Sequence, residues 1–219
     1  MPHPTLPPDK PAESTALRIA VRSALRSEKI AAREALAPAQ HRRLSQAIEC
    51  HLASLLRRCQ PRILGFCWPF RAEFDCRPLV ERMLAEGMKS CLPLVSAAGV
   101  AMKFRAWRPE SEMLIDKYGI HYPAAGEWLI PDVLLMPVNA FDAAGYRLGY
   151  GAGYFDRTLA QLAAQGSLPL TIGIGFELAR VDSIDPAVHD MPLDAVVTEA
   201  GVGLFSQRLS ADGVRTQQV

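Results

Sequence analysis

The sequence has few cysteines and no long hydrophobic run, and both shortages narrow the possible classes of protein. Its five cysteines are scattered and none forms a C-x-x-C pair, so a structural zinc site is not expected. An odd, scattered set of thiols indicates a reducing compartment. The chain lacks the about 18 consecutive apolar residues that a membrane-spanning helix needs, and its proline-rich start lacks the apolar core of a signal peptide. We therefore expect a cytoplasmic protein with no membrane partner.

An excess of charge of either sign is also missing. The chain has 24 Lys and Arg against 23 Asp and Glu, a net charge of +1. This balance gives no general reason to expect nucleic acid as a partner. With 219 residues, 49% of them hydrophobic, a sizeable core can form in one domain. We expect a disordered proline-rich segment over residues 1–14, a single domain over 15–206 and a polar tail over 207–219.

The order of the expected elements predicts an α/β protein. Ser14 or Thr15 is expected to cap a first helix that runs to about Leu36, with Leu17 and Val21 on its apolar face. A second helix is expected from Pro38, with further helices at 76–87 and 154–166. Strands are expected at 62–68, 89–95, 100–107, 132–138, 170–176, 194–201 and 202–206. Such alternation indicates a mainly parallel sheet covered on both faces.

The segment RLGYGAGYFDR, residues 147–157, places three glycines within five positions, between an expected strand and an expected helix. Glycine permits positive φ and leaves room for a ligand. Inward-turned N–H groups at a helix N-terminus then form an anion site that suits a polyphosphate. The segment contains no Walker A motif, and Tyr154 stands where the Rossmann fingerprint needs its third glycine. A tight turn that binds nothing is the alternative.

Charged residues flank this glycine loop. Arg147 precedes it and is suited to neutralise phosphate oxygens. Asp156 follows it, and a carboxylate beside a triphosphate calls for Mg²⁺ between them; an acid that only favours a helix N-terminus is the alternative. In the first helix, a basic stripe recurs at spacings of three and four and so lies on one face: Arg18, Arg22, Arg26, Lys29 and Arg33. The stripe is either a solvated face or part of a phosphate site.

These residues resemble the 5-formyltetrahydrofolate cyclo-ligase family, also called the methenyltetrahydrofolate synthetases. The strongest match is MPVNAFDAAGYRLGYGAGYFDRTLA, residues 136–160. RSALR (22–26), FCWPFRAEFD (66–75), YGIHYP (118–123) and HDMPLDAVVTE (189–199) follow the family's order, so that the resemblance spans about residues 18–204. It implies a three-layer α/β/α sandwich of Rossmann-like type (NagB/RpiA/CoA-transferase-like). We expect a monomer that acts on small molecules.

The resemblance also implies a reaction. Enzymes of this family convert 5-formyltetrahydrofolate and ATP to 5,10-methenyltetrahydrofolate, ADP and phosphate, with Mg²⁺. Phosphorylation of the formyl oxygen turns a poor leaving group into a good one, and N10 then closes the ring. Positioning and charge neutralisation carry such a reaction, so no nucleophilic side chain is required.

Carried over residue by residue, the resemblance implies a role for each matching position. The catalytic residues would be Arg147 and Tyr154, and the magnesium ligands Asp156 and Asp190. The reduced folate would contact Trp68, Glu73 and Tyr154. ATP would contact Arg22, Arg26, Arg147, Leu148, Gly149, Tyr150, Gly151, Ala152, Gly153, Tyr154, Phe155 and Asp156. The alternatives are a core position for Trp68, a solvated acid at Glu73 and a turn aspartate at Asp190.

Two positions depart from the family's usual pattern. Arg22 replaces a lysine, and Ala179 replaces a glutamine. The second departure keeps open a related ATP-dependent enzyme that acts on a different amide or carbonyl substrate. A non-catalytic nucleotide-binding or RNA-binding protein is the other alternative: the basic stripe favours it, whereas the near-neutral charge and the pairing of Arg147 with Asp156 oppose it.

Overall fold

The computed structural model describes residues 10–209, and side chains from Thr15 onward. Most of the expected proline-rich segment and most of the expected polar tail lie outside this range. The helices are α1 (Lys10–Glu34), α2 (Pro38–Cys59), α3 (Arg77–Ala85) and α4 (Tyr154–Ala164). The strands are β1 (Ile63–Gly65), β2 (Lys89–Leu94), β3 (Lys103–Ala106), β4 (Met113–Ile115), β5 (His121–Pro123), β6 (Trp128–Leu129), β7 (Val133–Pro137), β8 (Ala140–Phe141), β9 (Arg147–Leu148), β10 (Leu170–Ile174), β11 (Ala195–Thr198) and β12 (Gly201–Leu204).

The main sheet has eight strands in the order β12-β11-β10-β7-β1-β2-β3-β6. The five strands from β11 to β2 are parallel to their neighbours, whereas β12, β3 and β6 pair antiparallel at the two edges. The central strands are mostly apolar, as is typical of strands covered on both faces. The mainly parallel α/β sheet predicted from the sequence is confirmed.

Helices cover both faces of this sheet, which makes three layers. Successive residues of a strand point to opposite faces. In β7, Leu135 packs in the cluster that contains the α2 residues Leu52 and Leu56, whereas Leu134 and Met136 pack in the cluster that contains the α4 residues Leu159 and Leu162. The spacing of Leu44, Ile48, Leu52, Leu55 and Leu56 predicts a buried stripe on α2. The structure buries the last four of these residues, and Leu44 is partly buried against the same cluster.

Helix α1 differs from the prediction. It begins at Lys10 and continues through residues 14 and 15, so the predicted cap at Ser14 or Thr15 is wrong. The predicted apolar face is also wrong at Leu17 and Val21, which are 67% and 55% exposed, whereas Ile30 and Arg33 are buried. The reason is that part of the basic stripe, together with Leu25 and Ile30, faces the rest of the protein, whereas Leu17 and Val21 lie on the exposed side.

The sequence analysis also did not predict the short strands and the C-terminal turn. The hairpins β4–β5 and β8–β9 pair only two or three residues per strand, which is too short for a period of two to be recognised. Residues Gln207–Leu209 form a 3₁₀ turn in which Leu209 is buried against the core. The polar tail therefore does not start directly after Ser206 as predicted.

Gly173, in the middle of β10, provides a test of the packing between sheet and side chains. A Cβ at this position would lie 2.6 Å from Leu193 Cδ1 and 3.0 Å from Val138 Cγ1. Overpacking of this kind costs about 1–3 kcal/mol, so Gly173→Ala is expected to lower the free energy of unfolding in a denaturant titration by that amount. Gly149→Ala is the matched control, because a Cβ there meets nothing within 4 Å; equal losses in the two variants would contradict the packing described.

Candidate active site

A cavity of about 930 Å³ opens at the carboxyl ends of β1, β2 and β7. Ligands of open α/β sheets bind at this edge, and the volume suits small molecules. Its walls come from α1, the segment between β1 and α3, the β4–β5 hairpin, the glycine loop and residues 187–190. Every site residue predicted from the sequence lines it: Arg22, Arg26, Trp68, Glu73, Arg147, Leu148, Gly149, Tyr150, Gly151, Ala152, Gly153, Tyr154, Phe155, Asp156 and Asp190.

The glycine loop curls against helix α1. Gly151 and Gly153 have φ values of 95° and 65°, a region that glycine enters without strain. The Nε of Arg26 donates to the carbonyl of Gly149 at 2.6 Å, and a Cβ at Gly151 would lie 3.2 Å from the Arg26 guanidinium. The loop leads into the first turn of α4, which borders the cavity. Loop and helix N-terminus thus lie together at the cavity wall, which is the arrangement that the predicted anion site requires.

Two arginine–aspartate pairs lie beside this loop. Arg22 Nη1 donates to Asp190 Oδ2 at 2.6 Å, and Arg147 Nη2 donates to Asp156 Oδ1 at 3.0 Å. The remaining terminal nitrogen of Arg147 donates to the carbonyl of Met191 at 2.7 Å. Burial favours a raised pKa for Asp190, but hydrogen bonds from Arg22 and the Ala187 amide outweigh it, and the pKa lies below its ordinary value. Asp190 is therefore both a turn aspartate and the partner of a cavity arginine.

Glu73 lies on the opposite wall and is not the solvated acid of the alternative interpretation. Its side chain is 7% exposed. One carboxylate oxygen accepts a hydrogen bond from the Tyr150 hydroxyl at 2.7 Å, and the other accepts one from the Phe70 amide at 3.0 Å. Burial raises the pKa of Glu73, although Tyr150 and Arg33 oppose the shift. A carboxylate held on both oxygens presents a fixed acceptor to the cavity.

Aromatic residues complete this wall. Trp68 stacks on His121 with ring centroids 5.0 Å apart, so it lines the cavity, whereas Phe104 and Trp107 are core residues. Tyr154 hydrogen-bonds to Tyr118 of the hairpin connection, which lowers the pKa of Tyr118. The sequence analysis missed the hairpin residues of this wall because it missed the hairpin itself.

The structure shows where the two departures from the family pattern lie. Ala179 is 4% exposed and packs in the core of the sheet, and it is not among the residues that line the cavity. Arg22 does line the cavity and is paired with Asp190. Of the two departures, Arg22 therefore stands in the cavity wall and Ala179 does not.

The donor set of the cavity fits a magnesium ion that is shared with phosphate. Within residues 10–209, no group of three or more His, Cys, Asp and Glu side chains lies together. Mg²⁺ needs no such cluster when one or two carboxylates and substrate phosphates complete its coordination. Asp156 and Asp190 are the two carboxylates beside the glycine loop that this geometry offers. In the same range, no helix has the length and apolar character required to cross a membrane.

Fold and cavity define an α/β protein with a small-molecule site at the carboxyl edge of its sheet. Residues 18–199 match the model of the 5-formyltetrahydrofolate cyclo-ligase family, and the chain belongs to this family. It is 29% identical over 176 residues to the 5-formyltetrahydrofolate cyclo-ligase of Escherichia coli K12, covering 78% of this chain and 96% of that protein. The chain is also 30% identical over 140 residues to the 5-formyltetrahydrofolate cyclo-ligase of Mycolicibacterium smegmatis, covering 59% of this chain and 70% of that protein.

Two solved structures have the same fold. The NMR structure of Aquifex aeolicus 5,10-methenyltetrahydrofolate synthetase superimposes with a TM-score of 0.72 at 28% identity, covering 84% of this chain and 93% of that one. The 5,10-methenyltetrahydrofolate synthetase of Mycoplasma pneumoniae gives a TM-score of 0.65 at 23% identity, covering 81% and 98%. The resemblance stated from sequence motifs is confirmed at the level of the family.

The pair between Arg22 and Asp190 predicts a pH-dependent stability difference. Because the pKa of Asp190 is lower in the folded protein than its ordinary value of 3.8, its stabilisation is present above that value and is lost as the pH falls through the folded pKa. We expect Asp190→Asn to lower the free energy of unfolding by about 1 kcal/mol at pH 7. Denaturant titrations at pH 7, 5 and 3.5 should give the same deficit at the first two values and a smaller one at the third. A deficit that grows on acidification would contradict this account.

Proposed function

We propose that this protein converts 5-formyltetrahydrofolate and ATP to 5,10-methenyltetrahydrofolate, ADP and phosphate. One observation supports the proposal above the others. A single cavity holds a glycine loop with arginines on one side and a buried carboxylate with aromatic side chains on the other. A phosphoryl donor and a planar, hydrogen-bonding acceptor molecule need these two kinds of wall, close enough for their reacting atoms to meet.

The nucleotide is assigned to the loop side. Amides of residues 149–153 and the N-terminus of α4 face the phosphates, and Arg22 and Arg26 neutralise their charge. Arg147 is buried and bonded to Met191 and Asp156, so its part is to set the position of Asp156 and to add positive potential below the loop. Asp156 and Asp190 would hold Mg²⁺, which, when bound, neutralises the charge of the phosphates.

The reduced folate is assigned to the opposite side. Glu73 is a fixed acceptor for the amino and ring N–H groups of a pterin, and Trp68 with His121 supplies an aromatic surface. Tyr154 begins α4 and hydrogen-bonds to the hairpin. It therefore lies between the two ligands, where it orients the formyl group toward the terminal phosphate.

The chemical steps need position and charge more than a reactive side chain. The formyl oxygen attacks the terminal phosphorus, an oxygen–phosphorus bond forms and ADP leaves. N10 then attacks the activated carbon and loses its proton, the carbon–oxygen bond breaks and phosphate departs. Burial of Glu73 and the neighbouring ring of Trp68 limit the access of water to the activated intermediate, which would otherwise hydrolyse.

The competing functions have less support. The sequence argument for another amide or carbonyl substrate was Ala179, which lies in the core outside the cavity wall. The argument for RNA binding was the basic stripe, but Arg22, Arg26 and Arg33 bind partners within the protein and do not form an open basic surface. The enzyme is proposed to act in the cytoplasm as a monomer.

The activity is tested by mixing the purified protein with Mg²⁺, ATP and 5-formyltetrahydrofolate and following the near-ultraviolet absorbance of the methenyl product. We expect absorbance to rise and the rise to need both ATP and Mg²⁺. ATP hydrolysis that the folate does not stimulate would favour a different acceptor. Salt-sensitive RNA binding without ATP turnover would favour the non-catalytic alternative.

The role of Asp156 is tested by Asp156→Asn, which keeps an oxygen for Arg147 but removes the charge. We expect turnover to fall by roughly 10²-fold, as when one preorganised electrostatic contact is lost. The melting temperature should fall by only about 2–4 °C, the shift that a loss of about 1 kcal/mol produces in a domain of this size. Asp182→Asn, at an exposed aspartate outside the cavity, is the matched control and should retain full turnover. Parallel losses of rate and melting temperature in Asp156→Asn would remove the case for a role in binding the metal.

A further inference from the structure

Four polar side chains form a continuous network between the two sides of the cavity: Arg33, Glu73, Asn139 and Tyr150. We call it the Tyr150 bridge. The Tyr150 hydroxyl donates to Glu73 Oε1 at 2.7 Å and accepts from Arg33 Nη2 at 3.2 Å. Arg33 Nη1 in turn donates to Asn139 Oδ1 at 2.9 Å. The arginine side chain is 4% exposed and Asn139 is 1% exposed, so this end of the network is fixed within the protein.

The members of the bridge come from four parts of the fold. Arg33 is in the last turn of α1, Asn139 follows β7, Glu73 precedes α3, and Tyr150 is in the glycine loop. Arg33 also donates through Nε to the carbonyl of Arg71, at 2.9 Å. Three of the four positions are therefore held by buried elements, and Tyr150 is the member attached to a loop.

Tyr150 lies between Gly149 and Gly151, so its backbone has little side-chain bulk to restrict it. Gly151 has a φ of 95°, and the carbonyls of Gly149 and Ala152 accept hydrogen bonds from Arg26 and Arg157. The Tyr150 ring lies 5.9 Å from the ring of Phe70. Tyr150 is 41% exposed, yet its hydroxyl binds a buried carboxylate. Whether that hydroxyl reaches Glu73 thus depends on the conformation of the loop that is assigned to the phosphates.

We propose that Tyr150 is a positioning residue that couples the two ligands, so that a nucleotide on the glycine loop increases the affinity for the reduced folate. This inference rests on the function proposed above. A nucleotide fixes the loop, and the fixed loop holds the Tyr150 hydroxyl on Glu73 Oε1. Because the Phe70 amide holds Oε2 in either case, the loop decides whether both oxygens of Glu73 are fixed when the folate binds. Binding of the folate then no longer includes the free-energy cost of ordering this carboxylate, so its affinity is higher.

Linkage makes the coupling reciprocal. If the nucleotide tightens folate binding by some factor, the folate must tighten nucleotide binding by the same factor. Couplings between sites are commonly about 5-fold or more. The bridge contains one hydrogen bond from a hydroxyl to a carboxylate, and its removal is sufficient for an effect of about that size.

The experiment is a calorimetric titration of the full chain with 5-formyltetrahydrofolate, with and without a non-hydrolysable ATP analogue and Mg²⁺. In the unsubstituted protein, we expect the dissociation constant of the folate to fall by about 5-fold or more when the analogue is present. The reverse titration, of the analogue with and without the folate, should give the same factor.

Tyr150→Phe removes only the hydroxyl. We expect this variant to lose the effect of the analogue on folate affinity. This effect is the ratio of the folate dissociation constants without and with saturating analogue, so it is measured independently of how tightly the variant binds the analogue alone. Tyr146→Phe is the matched control: Tyr146 packs beside Leu148 in a small apolar cluster, does not line the cavity, and should leave the coupling factor unchanged.

A second variant tests whether Tyr150 acts through Glu73. Glu73→Gln keeps an acceptor but removes the charge, and we expect it to reduce the coupling factor. Adding Tyr150→Phe to Glu73→Gln should then change that factor no further, because both substitutions interrupt one path. If the two substitutions instead reduce the coupling factor independently, so that their effects multiply in the double variant, the inference is overturned.

The outcomes separate this inference from the proposed function. Folate binding of equal strength with and without the analogue would overturn the coupling and leave the proposed function standing. A Tyr150→Phe protein that keeps the full coupling factor, or that weakens folate binding equally in both conditions, would also overturn it. A protein that binds no folate under either condition would overturn both.

Discussion

The guanidinium of Arg33 joins helix α1 to the carboxyl edge of the sheet, and the cavity depends on this attachment. Among the described side chains of α1, Ile30 is the one fully buried apolar residue, so apolar packing contributes little to holding the helix in place. Arg33 reaches Asn139 instead, while Arg22 and Arg26 reach Asp190 and the glycine loop. Buried arginines are tolerated when their donors find acceptors, and they then fix orientation.

The same interactions explain why the cavity has two chemically distinct walls. On the loop side, arginines and backbone amides give positive potential for phosphates, and the carboxylates there are already paired with arginines. On the other side, burial keeps the pKa of Glu73 above its ordinary value, and aromatic rings exclude water. The sheet places both walls at the ends of adjacent parallel strands, so that the fold itself brings the two walls together.

Membership of the 5-formyltetrahydrofolate cyclo-ligase family was available from the sequence because most of the residues that we assign to the phosphates lie within one continuous segment. The glycines of residues 147–157 are needed for backbone conformation, and such a requirement is visible in the sequence. The alternating strands and the stripe of α2 were equally predictable, since burial on a long element leaves a regular period. The hairpins around residues 113–123 and 140–148 were not, because strands of two or three residues leave no period to detect.

The amino-acid sequence by itself determined the α/β class, the parallel core and the set of side chains offered to the cavity. Tertiary structure decided what those side chains do to one another. The spacing of the basic residues from Arg18 to Arg33 predicts that they share one face of α1, but not whether that face points to solvent or to the protein. Packing turned this face toward the protein and left Leu17 and Val21 exposed, contrary to the prediction. Likewise, Tyr150 and Glu73 are 77 residues apart in the chain, and their contact exists only because the fold returns the glycine loop to the end of β1. Hydrogen bonds over such separations depend on the path of the whole backbone, which no local pattern records.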